Sequence, residues 1–188
     1  MNVNNSIRPT SMLFRLFMNC LNKLLWAEQQ SAKLLPKVEN ALLTTQMVRV
    51  AGDHAMYKVR QIARLKQVFH LIQYDAEPRV CSVMEGLIKE LKEVLRDSRT
   101  PSLTRDAAIV MVLQKITHHE MSVYSSLISY IKMISFREVC GLLETTLDEE
   151  VMINNRLTLI TVNKINWRAD SEMTQEEKKL SHPWHSFG

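Results

Sequence analysis

Four ionisable residues stand where a helix surface should be apolar. Glu28 lies four residues after Leu24 and four before Ala32. His54 lies four after Val50. Glu120 lies four after Ile116 and four before Tyr124, and Glu149 falls between Thr146 and Ile153, with Glu150 beside it. Side chains three or four apart share one face of a helix. Each of these groups therefore interrupts a stripe that would otherwise face a core. A buried carboxylate costs several kcal/mol unless it is paired or bound to a cation. Acids and an imidazole converging from several helices are the donor set of a di-iron cage inside a bundle.

The elements that must position them follow from the same periodicity. The spacing predicts a helix over Ser11–Leu43, kinked or split at Pro36, and a second over Gln46–Ile72. A shorter helix is expected over Cys81–Leu95, then long ones over Leu103–Ile134, with Ser102 as N-cap, and Arg137–Val162. Pro78 and Pro101 mark connections, and the pattern dissolves from Lys164. The expected organisation is an N-terminal tail over 1–10, a bundle over 11–165 and a polar C-terminal tail over 166–188. Long amphipathic helices with short connections bury their stripes against one another. The fold class expected is all-α, an antiparallel four-helix bundle with an additional short helix.

Composition excludes several alternatives. The chain has 188 residues, 46% hydrophobic and 23% charged, ordinary for a globular domain. Only 4 Gly and 5 Pro argue against a turn-rich β fold. No Gly-rich phosphate loop and no G-x-S-x-G nucleophile elbow occurs. The net charge of +4 comes from interspersed signs, so no nucleic-acid partner is expected. No apolar run is long enough to span a membrane, and no signal peptide is evident. Three cysteines without a C-x-x-C suggest reduced thiols and a cytoplasmic place.

Other residues carry blander expectations. Cys20 and Cys81 read as small core hydrophobes. His118 and His119 are adjacent, so their rings diverge by about 100° on a helix and cannot share an ion. Lys58 falls at stripe spacing, yet with Arg60, Arg64 and Lys66 it is expected to form a solvated basic face. His182 and His185 would bind metal only adventitiously.

Several segments together resemble one family. Trp26-Ala27-Glu28-Gln29-Gln30 followed by Leu35-Pro36-Lys37 is similar to the opening helix of the YciE/YciF-type ferritin-like proteins. Arg64–Phe69, Cys81–Ile88, His118-His119-Glu120 with Tyr124, and Glu144–Glu150 resemble later segments in the same order. The resemblance covers about Leu21–Leu157. It implies a bacterial, stress-associated ferritin-like bundle that holds iron or another divalent metal. The ligands it implies are Glu28, His54, Glu120, Glu149 and Glu150. It also implies acids where Tyr57 and Thr117 stand, so the site is partly degenerate. With a competent site, the carboxylates would hold Fe(II) for oxidation by O2 or peroxide. A homodimer is expected. The alternative is a metal-free structural or interaction bundle on the same scaffold.

Overall fold

A computed structural model describes residues 11–97, 101–133 and 136–172. Five principal helices carry the fold: α1 (Met12–Glu39), α2 (Thr45–Leu71), α3 (Ser82–Asp97), α4 (Leu103–Met133) and α5 (Arg137–Ile160). A π-helical turn over Thr161–Ile165 leads into a last short helix, α6 (Asn166–Asp170). No strand occurs among the described residues, in agreement with the all-α expectation.

The helix ends have local causes. Ser11 Oγ accepts the Phe14 N–H at 3.1 Å and caps α1. Ser102 Oγ accepts the Arg105 N–H at 3.0 Å, the expected cap of α4. The buried Asp106 carboxylate accepts N–H groups of Leu43 and Thr44, tying the α1–α2 turn to the start of α4. Pro36 does not split α1. The helix runs through it and ends at Glu39, one turn later and short of Leu43. At the other end helix continues to Asp170, past Lys164, where the apolar pattern fades. Of the π-helical turn, only Ile165 is buried. Ile134, His182 and His185 lie outside the described residues.

Cross-helix contacts set the topology. Going up α2 from Asp53 to Lys58 to Arg64, the partners on α5 fall from Arg156 to Glu150 to Glu149. The two helices are therefore antiparallel. Glu28 meets Tyr124, whereas Ser31 meets Glu120, so α1 and α4 are antiparallel as well. A short turn joins α1 to α2, and three residues separate α4 from α5 in the sequence. The four long helices close a ring in the order α1, α2, α5, α4, and α3 lies against α4 and α1. A single long connection, carrying α3, links α2 to α4, as in ferritin-like bundles.

Two apolar layers fill the bundle. One holds Phe14, Phe17, Leu21, Leu65, Leu127 and Leu143. The other holds Leu35, Met47, Val50, Leu113, Ile153 and Leu157. The expected stripes are these layers, and the ionisable residues lie between them.

Candidate functional site

The α1, α2, α4 and α5 stripes bring Glu28, His54, Glu120 and Glu150 to the centre of the bundle. All four are at most 1% exposed. Glu149, expected as a ligand beside Glu150, turns away. On a helix, neighbours in sequence diverge by about 100°, and here Glu150 takes the inward direction while Glu149 faces the edge. Glu149 instead takes two hydrogen bonds from Arg64, at 2.6 and 2.7 Å, at the edge of the bundle. The Arg64 side chain is 19% exposed.

The centre holds a cation of its own. Lys58, expected on a solvated face, is 0% exposed. Its Nζ donates to Glu120 Oε2 at 2.6 Å and to Glu150 Oε1 at 2.9 Å. Glu28 Oε2 lies 2.9 Å away, an ionic contact outside hydrogen-bond geometry. The stripe logic applied to Glu28 and Glu120 applies equally to Lys58, which follows His54 by one helical turn. Arg60 and Lys66 are exposed as expected. Other polar groups complete the shell. Gln61 donates to Glu150 Oε1 at 2.8 Å, Tyr124 to Glu28 Oε1 at 2.8 Å, and Ser31 to Glu120 Oε1 at 3.2 Å.

The two positions where the resemblance implies acids do not contribute ligands. Thr117 is buried, but its hydroxyl donates to the Leu113 carbonyl within its own helix. The Tyr57 ring packs beside the core and lies 5.0 Å from the Arg60 guanidinium carbon.

Electrostatics separate the three acids. Burial pushes the Glu120 carboxyl well above its ordinary value and Glu28 upward too, although Lys58 opposes both shifts. Burial also pushes on Glu150, but Lys58 and the His54 ring outweigh it and hold that carboxyl far below the usual range. Burial would by itself release the Lys58 proton. The surrounding carboxylates win and raise the ammonium well above its ordinary value. Burial lowers the His54 imidazole, which therefore stays neutral near neutral pH.

The cage does not fit a di-metal centre. A divalent ion bridging Glu28, Glu120 and Glu150 would occupy the place of the Lys58 ammonium. One corner retains donors suited to a single ion. His54 Nε2 and Glu150 Oε2 are 3.7 Å apart, neither has a hydrogen-bond partner, and Glu120 is close by. Of the expected ligands Glu28, His54, Glu120, Glu149 and Glu150, only His54, Glu120 and Glu150 form a cluster that could hold an ion.

Comparison with known proteins agrees with this architecture. The sequence profile of a domain of unknown function, DUF892, matches residues 12–170. The chain belongs to this family. Protein YciF of Escherichia coli (strain K12) is 29% identical over 160 residues, covering 83% of this chain and 94% of that one. The crystal structure of the E. coli stress protein YciF superposes with a TM-score of 0.79 at 28% identity, covering 84% of this chain and 99% of that chain. YcfI from Rhodopseudomonas palustris superposes with a TM-score of 0.74 at 29% identity, covering 80% and 96%. This DUF892 chain is thus a YciF-like helical bundle, as the resemblance implied. No helix among the described residues is long and apolar enough to cross a membrane.

Proposed function

We propose that this chain is a metal-independent member of its family, a stress-associated structural bundle that works through its surfaces. The observation that carries this reading is the Lys58 ammonium, within 2.6–2.9 Å of Glu28, Glu120 and Glu150. A tethered ammonium supplies the counter-charge to the buried carboxyl groups where a resident metal would otherwise do so, with protonation of Glu28 and Glu120 favoured for the remainder. It leaves Fe(II) no free carboxylate pair to bridge, so no ferroxidase step is part of this reading. The same reading has the protein cytoplasmic and assembled as a homodimer. Its free thiols are consistent with a reducing compartment. Met56 and Val59, exposed on α2, offer apolar surface for a second copy.

A second reading rests on the unpartnered His54 Nε2 and Glu150 Oε2. Donors 3.7 Å apart suit metal–ligand bonds of about 2.1 Å, so His54, Glu150 and Glu120 could hold one divalent ion beside Lys58. The ammonium would repel that ion, which places this reading second.

Thermal unfolding with Fe(II) under anaerobic conditions, with Mn(II) and with chelator separates the two. The first reading expects a wild-type melting temperature that none of these moves, and a Lys58→Ala variant that Fe(II) or Mn(II) stabilises by mass action. Stoichiometric metal in protein from iron-supplemented cells, lost in His54→Leu, would instead establish the single-ion site.

A further inference from the structure

Away from the cage, one thiol has an imidazole beside it. Cys81 immediately precedes α3, and its carbonyl accepts the Glu85 N–H at 2.8 Å, so it occupies the N-cap position. Its Sγ lies 3.5 Å from His119 Nε2 on α4. The segment before Cys81 is pinned to α1. The Glu77 N–H donates to Asn22 Oδ1 at 2.7 Å, and the Arg79 N–H donates to the Asn22 carbonyl at 3.2 Å. Sulfur and imidazole are therefore held together by separate helices that the bundle fixes in place.

His119 is half-buried, and its Nε2 is the ring nitrogen that faces the sulfur. The other thiols are Cys20 and Cys140. Burial raises Cys20, and burial together with a hydrogen bond to Glu144 raises Cys140. Both hold their protons more tightly than a free thiol does. Exposure alone favours Cys20, which is half-buried, over Cys81 at 9% exposed. An imidazole within reach of the sulfur favours Cys81, whereas the carboxylate beside Cys140 is the weaker base and holds that thiol up.

We infer that Cys81 and His119 form a nucleophile–base dyad that makes Cys81 the peroxide-reactive thiol of the chain. His119 takes the thiol proton as the sulfur attacks one oxygen of hydrogen peroxide. The O–O bond breaks, and the departing hydroxide receives the proton from the imidazole and leaves as water. The thiol and peroxide thus become a sulfenic acid and water. Sulfur is oxidised by two electrons, and the peroxide oxygens are reduced by the same two.

The test is trapping of sulfenic acid with dimedone during limiting hydrogen peroxide treatment of the folded, full-length protein, followed by peptide mapping. The adduct is expected on Cys81 ahead of Cys20 and Cys140. In His119→Gln the rate should fall by roughly tenfold or more, a loss at or below the usual range for a general base, and added imidazole should restore part of it. First labelling at Cys20 or Cys140 in the wild type would overturn the inference without recourse to any variant. So would an unchanged rate in a His119→Gln protein that melts like the wild type.

Discussion

Lys58 Nζ makes its shortest contact, 2.6 Å, with Glu120 Oε2, yet Glu120 is a carboxyl that burial drives towards its protonated form. The two facts belong together. Three carboxylates around one ammonium carry an excess of negative charge in a dry interior. Protonation relieves the excess. The cage is best described as a Lys58–Glu150 ion pair, with Glu28 and Glu120 retaining protons more readily than exposed acids do.

That asymmetry predicts different outcomes for equivalent substitutions. Glu120→Gln, which keeps shape and one acceptor, should change stability by less than about 1 kcal/mol, as when a group is exchanged for a neutral near-isostere. Glu150→Gln removes the partner that stays ionised and should cost roughly 3–5 kcal/mol, the usual result of breaking a buried pair. Urea unfolding of both variants measures the difference. Equal losses would show that the charges are shared evenly.

Lys58→Met removes the internal cation and should destabilise the protein by roughly 3–5 kcal/mol. The remaining acids then lack a counter-charge, so the loss should shrink as pH falls and they take up protons. Equilibrium unfolding of this variant at acidic and neutral pH checks the trend.

For the wild type, the signs oppose one another. Glu28 and Glu120 have raised values in the fold, so their contribution is fully present below their unfolded values and is lost as pH rises through their folded ones. Glu150 and His54 have lowered values. Their contributions are present above the unfolded values and are lost as pH falls through the folded ones. Stability should therefore pass through a maximum. Glu120→Gln should flatten its alkaline side, and His54→Leu its acidic side below the ordinary imidazole value. Denaturant midpoints across the pH range supply the measurement.

Tyr124→Phe deletes the hydroxyl that donates to Glu28 Oε1 at 2.8 Å and leaves a buried acceptor short of one bond. The expected loss is about 1–3 kcal/mol. Glu149→Gln should cost about 1.5–3 kcal/mol, because the bidentate Arg64 pair is only 19% and 13% exposed. It should also leave any metal response of Lys58→Ala unchanged, since Glu149 lies outside the cage. A metal response that disappears with Glu149 would contradict the geometry.

Periodicity located the inward faces of all the long helices, and with them Glu28, His54 and Glu120. It located Glu150 only as one of an adjacent pair, because a stripe about 100° wide leaves neighbouring residues indistinguishable. Lys58 was visible at the correct spacing, but its basic neighbours suggested a surface patch. The missing signal was charge balance: buried acids require a cation, and Lys58 was the one at stripe spacing. The Arg64–Glu149 and Cys81–His119 pairs join residues far apart in sequence, and periodicity within one helix says nothing about which face meets which. The last turns before Asp170 were illegible for a simpler reason, since little apolar surface there is buried.

The position of the cage between two greasy layers also bears on assembly. Leucine and isoleucine layers tolerate sliding, because one aliphatic contact replaces another at similar energy. A single ammonium meeting acids from three other helices does not. Shifting any of those helices by one turn moves its carboxylate about 5.4 Å along the axis, beyond the reach of Nζ, and strands a charge in oil. The centre of this bundle therefore acts as a register pin, penalising vertical misalignment that the surrounding hydrocarbon would allow.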